Sequence, residues 1–456
     1  MKQSLSELQK ITSGRLIGDD CNFEVLSTDS RNIAKGSLFV ALRGERFDGH
    51  DFVNTAVQQG AAAIVVDCEQ KNISIPQLVV TDTLRALGEI AAQKRQLFKG
   101  KVIAVTGSSG KTSVKGMLAK VFSNKGPTLV TAGNFNNDIG VPLTLMRLDD
   151  HEFAVIELGT SAPGEIAYLT NLIKPDISVV TNVMPAHIGG FGSLQAIAEE
   201  KSCVYAYPSL SVAIVNLDDD FCSMFMGKLE CPSNIGFSMA QDSRESCVHA
   251  EELHFGHDNL AYFQLCYGAD RAPVKLAVPG VHSVRNALAA SACALAGGLS
   301  VNDIAFGLGE YLGDKGRMQL KQGYRQSTII DDTYNANLGS VKAAIDVLVQ
   351  SQGPRVMVLG ELGELGEFAV QTHEEIGKYA HEMGVGTLAA LGDMAKHAVK
   401  AFGEGGIGFD SKAELAEVLK QKYLGSEVTV LVKGSRFTKM EELVDMLVEQ
   451  AEVKEC

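Results

Sequence analysis

The sequence lacks tryptophan altogether, and it lacks any apolar run long enough to cross a bilayer. Its longest weakly polar stretch, Ala287–Gly298, is too short and too rich in alanine to span one. It also lacks positive charge. Against 55 Asp and Glu stand 41 Lys and Arg, a net charge of −14, which argues against a general binder of nucleic acid or anionic membrane. The nine cysteines are scattered, and no pair has the close spacing of a zinc site. An odd count in so long a chain fits free thiols in a reducing compartment better than a disulfide framework. The first ten residues carry no apolar secretory core, so a cytoplasmic protein is expected. No Ser-His-Asp or Cys-His arrangement argues for a covalent enzyme intermediate. No segment is of low complexity, and none repeats with a fixed period.

What is present is ordinary globular material, 45% apolar and 21% charged, in a chain of 456 residues. That length suggests about three domains. Residues 1–97 alternate strand-like runs (Ser37–Ala41, Ala63–Val66) with helix-like ones (Phe52–Gln59, Leu84–Phe98). A boundary is expected near Gly100. Residues 98–313 open with the buried strand Val102–Val105. Further strands are expected at Phe153–Glu157, Ile177–Asn182 and Val212–Asn216, with helices at Leu194–Tyr205 and His282–Ala296. Residues 314–456 repeat the alternation: strands Thr328–Asp331, Val356–Leu359 and Val428–Val432, helices Ser340–Leu348 and His373–Met383. The pattern predicts an α/β protein with a central parallel sheet and a second, doubly wound unit at the C-terminal end.

The most specific local signal is Thr106-Gly107-Ser108-Ser109-Gly110-Lys111-Thr112, between a strand and a helix expected over Ser113–Phe122. Glycines let backbone N–H groups turn onto phosphate oxygens, and the helix offers its positive end. Lys111 would reach the β/γ-phosphates and the Thr112 hydroxyl would touch Mg²⁺. The usual phosphate loop has a glycine where this chain has Val105, so the loop is a shorter form. The alternative is an ordinary turn that happens to contain Gly-Lys-Thr.

Other candidates are weaker alone. Glu157 ends its strand, where ligands of parallel sheets gather and where a carboxylate suits Mg²⁺. Surface glutamates are commoner. Asn182 and His187 follow the next strand and could reach the same crevice, although a lone histidine is more often structural. Lys201 sits on an apolar helix face with Leu194, Ile197, Ala198 and Val204. It is either a snorkelling side chain or a partly buried, reactive amine. Asn286 lies on an alanine-rich helix that permits close approach. Arg317, in Lys315-Gly316-Arg317, could clamp a phosphate or be one more surface charge.

Taken together these residues resemble the Mur ligase superfamily, over essentially the whole chain. The short T-G-x-x-G-K-[TS] loop is the superfamily's form. Thr131–Pro142 (TAGNFNNDIGVP), Asp331–Asn337 (DDTYNAN), Gly360–Gly366 (GELGELG) and Lys433–Arg436 (KGSR) resemble its dipeptide-adding branch. The DNPR segment of the diaminopimelate-adding relative is absent.

The resemblance implies an amide-forming ligase with ATP and Mg²⁺. It would add D-alanyl-D-alanine to UDP-N-acetylmuramoyl-tripeptide, with diaminopimelate or lysine as third residue, through an acyl phosphate. A sister ligase adding a single amino acid is the alternative, and a nucleotide-binding switch is the rival from another class. Thr106, Gly107, Ser108, Ser109, Gly110, Lys111, Thr112 and Ser113 would bind ATP. Asn286 and Arg317 would hold the adenine side and the phosphates, and Asp332 would lie near the ribose. Thr112, Glu157, His187 and Lys201, the last as a CO₂-derived carbamate, would lie at the metal; Lys111, Lys201, His187 and Glu157 would carry the catalysis. Ser30, Arg31 and His50 would receive the UDP end. Asn134, Asn136, Asn137, Tyr334, Asn335 and Asn337 would lie near the substrates. The expected partners are those substrates, with no nucleic acid, no membrane and a monomeric chain. The sequence departs from the pattern at Gly190, Ser202-Cys203, Ser283, Leu338 and Glu361.

Overall fold

The computed structural model describes residues 3–44, 47–185, 191–240, 246–256 and 259–448. Four sheets organise them, and three are large. The first has five strands in the order Arg15–Ile17, Gln77–Val79, Ala63–Val66, Leu38–Val40 and Leu26–Ser27. Only its first pair is antiparallel. Gln3–Ser4 and Asn22–Phe23 form a separate two-stranded piece beside it.

The central sheet has nine strands. In spatial order they are Thr128–Val130, Phe153–Glu157, Lys101–Thr106, Ile177–Val180, Val212–Asn216, Ser233–Ser238, Cys247–Phe255, Leu260–Tyr267 and Asp270–Pro279. The first seven are parallel. The last two turn back as antiparallel hairpins. That extension escapes a reading of apolar runs, because its strands alternate polar and apolar residues with one face wet. Side chains of the strand Lys101–Thr106 alternate between two cores. Ile103 and Val105 pack with the helices Lys111–Ser123 and Val281–Ala296. Val102 and Ala104 pack on the opposite face with the helix Glu165–Ile173. A strand buried on both faces must be apolar throughout, so it reads as a continuous run rather than an alternating one.

The third sheet has six strands: Gln319–Gln322, Thr328–Asp332, Thr429–Lys433, Arg355–Gly360, Thr387–Leu391 and Gly406–Phe409, antiparallel only at the first pair. Helices Leu338–Val349 and Ala369–Glu382 bury one face. Helices Lys412–Lys422 and Glu441–Leu447 bury the other, as a doubly wound unit requires.

Several expected boundaries shift. The helix after the phosphate loop begins at Lys111, not Ser113. The strand before Asn182 stops at Val180. The predicted helix over residues 194–205 ends at Ser202 and tightens into a 3₁₀ turn, Cys203–Tyr205. Leu338 is the first helical residue after the cap Asn337, a position that proline and ordinary residues both accept, so this departure leaves the turn intact. None of the helices among the described residues is long and apolar enough to cross a membrane.

The first sheet and the central sheet are joined through a buried arginine. Arg95, on the helix Thr83–Leu97, donates from Nε to Ile173 O (2.6 Å) and from Nη2 to Lys174 O (2.7 Å). It also pairs with Asp176 at 3.4 Å, and the same carboxylate oxygen accepts from Val102 N. Arg95→Ala removes the side-chain donor from Ile173 O and Lys174 O and should destabilise the fold by about 2–3 kcal/mol. A denaturant midpoint equal to that of the wild type would refute this.

Candidate functional site

The loop between Thr106 and Lys111 is held from beneath. Gly107 has φ +147°, and a Cβ placed there would stand 1.9 Å from Thr181 Oγ1. Gly110 has φ +83°, and its Cβ would stand 2.4 Å from Asn286 Oδ1. Both positions therefore exclude a side chain for conformational and steric reasons together. Asn182 reaches a small side cavity of the crevice and also binds the loop. Its Oδ1 accepts from Ser109 N (2.9 Å) and its Nδ2 donates to Ser109 O (3.1 Å). It is a clamp on the loop. Thr106 is likewise fully enclosed, donating to Leu158 O. Lys111 Nζ folds back onto Gly107 O at 2.6 Å.

Glu157, 3% exposed, lies at the end of its strand beside this loop. Its backbone N donates to Thr131 Oγ1, and its Oε1 accepts from Asn136 Nδ2 (2.9 Å) and faces Thr112 Oγ1 (3.4 Å). Lys115 Nζ stands 3.2 Å from Oε2 as an ion pair, but its hydrogen bond goes to Gly133 O. Oε2 thus accepts no hydrogen bond among the described residues. Burial alone would raise this carboxyl. Lys115, Lys111, the Asn136 amide and Arg317 outweigh it and hold the group below its usual range. Lys115 was not anticipated, although its spacing of four residues from Lys111 on one helix places both on the same face.

From the opposite wall Arg317 Nη2 donates to Thr112 Oγ1 at 3.1 Å, and its guanidinium lies 4.1 Å from the Tyr334 ring centroid. Asp332 is bound by Lys433 Nζ at 2.5 Å and accepts from Met318 N. Between the walls is a cleft of about 830 Å³. Ser108, Ser109, Gly110, Lys111, Thr112, Asn134, Asn136, Asn137, Glu157, Arg317, Tyr334, Asn335 and Asn337 all line it. A second cavity of about 120 Å³ adjoins it, lined by Gly110, Ser113, Asn286, Arg317 and Asp332. His282 and Lys433, to which the sequence reading gave no role, line it too. Burial pushes the His282 imidazole down, against the pull of Asp332.

Some expected residues have structural work as well. Asn137 Oδ1 accepts from Gly140 N, and Asn337 caps the helix that follows it. Lys201 is 4% exposed, and its Nζ has no hydrogen-bond partner among the described residues. Burial, and then the charge of Lys111, lower its pKa to about 7 against the opposing pull of Glu200. Its successors settle locally, with Ser202 Oγ donating to Glu199 O. His187 and Gly190 lie outside the described residues. Ser30, Arg31 and His50 do not line the cleft. His50 is held through Nδ1 by Asp48 (2.6 Å), and its Nε2 accepts from Asp67 N. Arg31 pairs with Asp29, but its side chain is 87% exposed.

Chemically, the cleft joins an anion cradle of backbone and cations to an oxygen-rich corner at Thr112 and Glu157. Such a place can hold a polyphosphate with a hard divalent cation.

Three family descriptions match the chain. These are the Mur ligase family catalytic domain over residues 22–95, the Mur ligase middle domain over 105–294, and the Mur ligase glutamate ligase domain over 316–436. The chain is 40% identical over 453 residues, 98% of each chain, to the UDP-N-acetylmuramoyl-tripeptide–D-alanyl-D-alanine ligase of Escherichia coli strain K12. It is 38% identical to the Haemophilus influenzae protein of the same name, over 97% of this chain and 98% of that one. It is also similar to a crystal structure of MurF from Acinetobacter baumannii (37% identity, TM-score 0.91, 99% of each chain). A further likeness is to MurF ligase from Thermotoga maritima in complex with ADP (26% identity, TM-score 0.83, 92% and 96% covered).

The geometry of the loop yields a direct expectation. Gly107→Ala forces either the loop or Thr181 to move, with strain of about 1–3 kcal/mol, so ATP should bind roughly ten- to a hundred-fold more weakly by calorimetry. Unchanged affinity would show that the loop is not the nucleotide cradle.

Proposed function

The chain belongs to the Mur ligase family, and we infer that it is an ATP-dependent ligase that adds D-alanyl-D-alanine to UDP-N-acetylmuramoyl-tripeptide in peptidoglycan precursor synthesis. The observation that carries this reading is the single cleft, with the phosphate loop and Glu157 on one wall and Arg317, Tyr334 and Asn335 on the other.

The reaction brings two anions together. The tripeptide carboxylate attacks the γ-phosphorus of ATP, giving an acyl phosphate and ADP. The dipeptide amine then attacks the acyl carbon, and phosphate leaves. Lys111 and Arg317 offset the repulsion between carboxylate and phosphates. The amino end of the helix Lys111–Ser123, which carries no side-chain cap, offers backbone N–H groups, and the rest is positioning, because phosphoryl transfer needs little covalent help from the protein. The second cavity, with Asn286 and Asp332, suits the nucleoside. The closeness of Arg317 and Tyr334 to Thr112 lets the C-terminal unit cover the acyl phosphate and keep water from it. In the first domain, Ser30, the exposed guanidinium of Arg31 and His50 are assigned to the UDP end on the resemblance.

The residues fit a magnesium site. Glu157 Oε2 is buried without a hydrogen-bond donor, and the Thr112 hydroxyl is beside it. Thr112, Glu157, His187 and carbamylated Lys201 would hold the ion, which when bound neutralises phosphate charge; the place of His187 rests on the resemblance. Lys201 fits a carbamate for a separate reason. A buried lysine that lacks an acceptor and feels the charge of Lys111 is partly neutral near pH 7, and the neutral amine is the form that combines with CO₂.

With ATP and Mg²⁺, phosphate release should require both the UDP-linked tripeptide and D-alanyl-D-alanine, and mass spectrometry should show the pentapeptide product. Release driven instead by a single amino acid would move the chain to a sister ligase.

Lys201→Ala should lose most activity, with partial rescue by short carboxylic acids. In ¹³C-bicarbonate NMR the carbamate signal should grow as pH rises through about 7, since the ammonium form predominates below it, and should vanish in the variant. A fully active Lys201→Ala would overturn the assignment.

A further inference from the structure

This inference rests on D-alanyl-D-alanine being the acceptor. A dipeptide enters the cleft with one amine to be acylated and one carboxylate that stays free. Taking that carboxylate out of water needs a cation to meet it. Five cationic side chains line the cleft among the described residues: Lys111, Lys115, Lys315, Arg317 and Arg436. Lys111 belongs to the phosphate loop, and Lys115 is paired with Glu157. Arg317 bonds Thr112 and is stacked on Tyr334. Lys315 is an exposed point charge on a flexible stem, next to Arg317 on the phosphate side.

Arg436 is also exposed, its side chain at 64%, but unlike Lys315 it is held in place. The chain leading to it is pinned at both ends. Lys433 is buried and tied to Asp332 and to Asn335 O (3.0 Å). The hydroxyl of the buried Ser435 accepts from Gly363 N (2.9 Å). Arg436 Nη1 donates to Glu441 Oε1 at 2.8 Å, and Glu441 also lines the cleft. The charges of Arg317 and Arg436 both act on the phenol of Tyr334, so Arg436 faces the same space as the phosphate wall. A guanidinium has five donors in a planar fork, so one bond to Glu441 leaves an edge for a carboxylate.

We infer that Arg436, oriented by Glu441, binds the free C-terminal carboxylate of the acceptor dipeptide and thereby selects its length. Glu441 supplies the second half of the recognition. Its Oε2 is buried and accepts no hydrogen bond among the described residues. In a dipeptide anchored at Arg436, the group one atom beyond the terminal Cα is a peptide N–H, a donor suited to that oxygen. In a single amino acid anchored the same way, that group is the reacting amine itself. It would be held at Glu441, one residue or about 3.6 Å short of the acyl carbon.

The test compares D-alanyl-D-alanine with its C-terminal amide as acceptors for UDP-N-acetylmuramoyl-tripeptide. The wild type should prefer the free acid by roughly 10- to 100-fold in kcat/KM, the worth of a hydrogen bond to a charged group. In Arg436→Ala the KM for the dipeptide should rise by a similar factor and the preference should collapse towards one. The KM values for ATP and for the tripeptide precursor should stay within about twofold, within the ordinary spread of distant effects. Arg436→Lys should recover part of the preference. Retention of the full acid preference in Arg436→Ala would overturn the inference. A wild type inert towards both acceptors would sink the proposed acceptor itself, and this inference with it.

Discussion

The cleft is organised around one buried carboxylate. Glu157 sits at 3% exposure, with Lys115 and Lys111 acting on it from one helix and Arg317 from the C-terminal unit. An ionised carboxylate in such a place costs several kcal/mol unless it is compensated, so these cations have to converge. Their convergence brings together the helix after the phosphate loop and the start of the C-terminal unit. Because Lys115 directs its hydrogen bond elsewhere, one carboxylate oxygen keeps an unfilled lone pair in a polar corner. The same arrangement that stabilises the charge leaves it able to take a hard cation.

The phosphate loop illustrates a second constraint, the close approach of backbone to side chain. Thr181 and Asn182 follow the strand neighbouring the loop's own; Thr181 fills the space that a side chain at position 107 would need, and Asn182 holds the Ser109 backbone in place. Asn286 fills the corresponding space at Gly110 from a distant helix. The loop is thus held rigid before nucleotide arrives. Arg317 spans the two units by bonding Thr112, so the junction between the sheets is also a wall of the site.

Much of this was legible in the residues. The glycines of the loop, the acidic strand end and the lysine on an apolar helix face each carried a local signature. Buried parallel strands write themselves as unbroken apolar runs, and those strands were found. The polar–apolar alternation of residues 247–279 marks a sheet wet on one face, and without a partner strand in view it resembles no strand run at all. Lys115 and His282 were passed over, and Lys433 was noted only within KGSR, because a single charged or imidazole side chain on a helix or strand has no pattern that separates a buried partner from a surface group.

By itself the sequence determined the α/β alternation, the phosphate loop with its strand and helix, and the Mur ligase likeness, because each rests on residues adjacent in the chain. Only the tertiary structure decided that Asn182 clamps the loop while lining the smaller cavity. It alone decided that one Glu157 oxygen meets the Lys115 charge but accepts no hydrogen bond among the described residues, and that Arg436 and Glu441 share a cleft with a loop more than 300 residues away. The physical reason is the same in each case. Backbone propensity and hydrophobic periodicity act over a few residues, whereas the pairing of a buried polar atom depends on which distant element is folded against it.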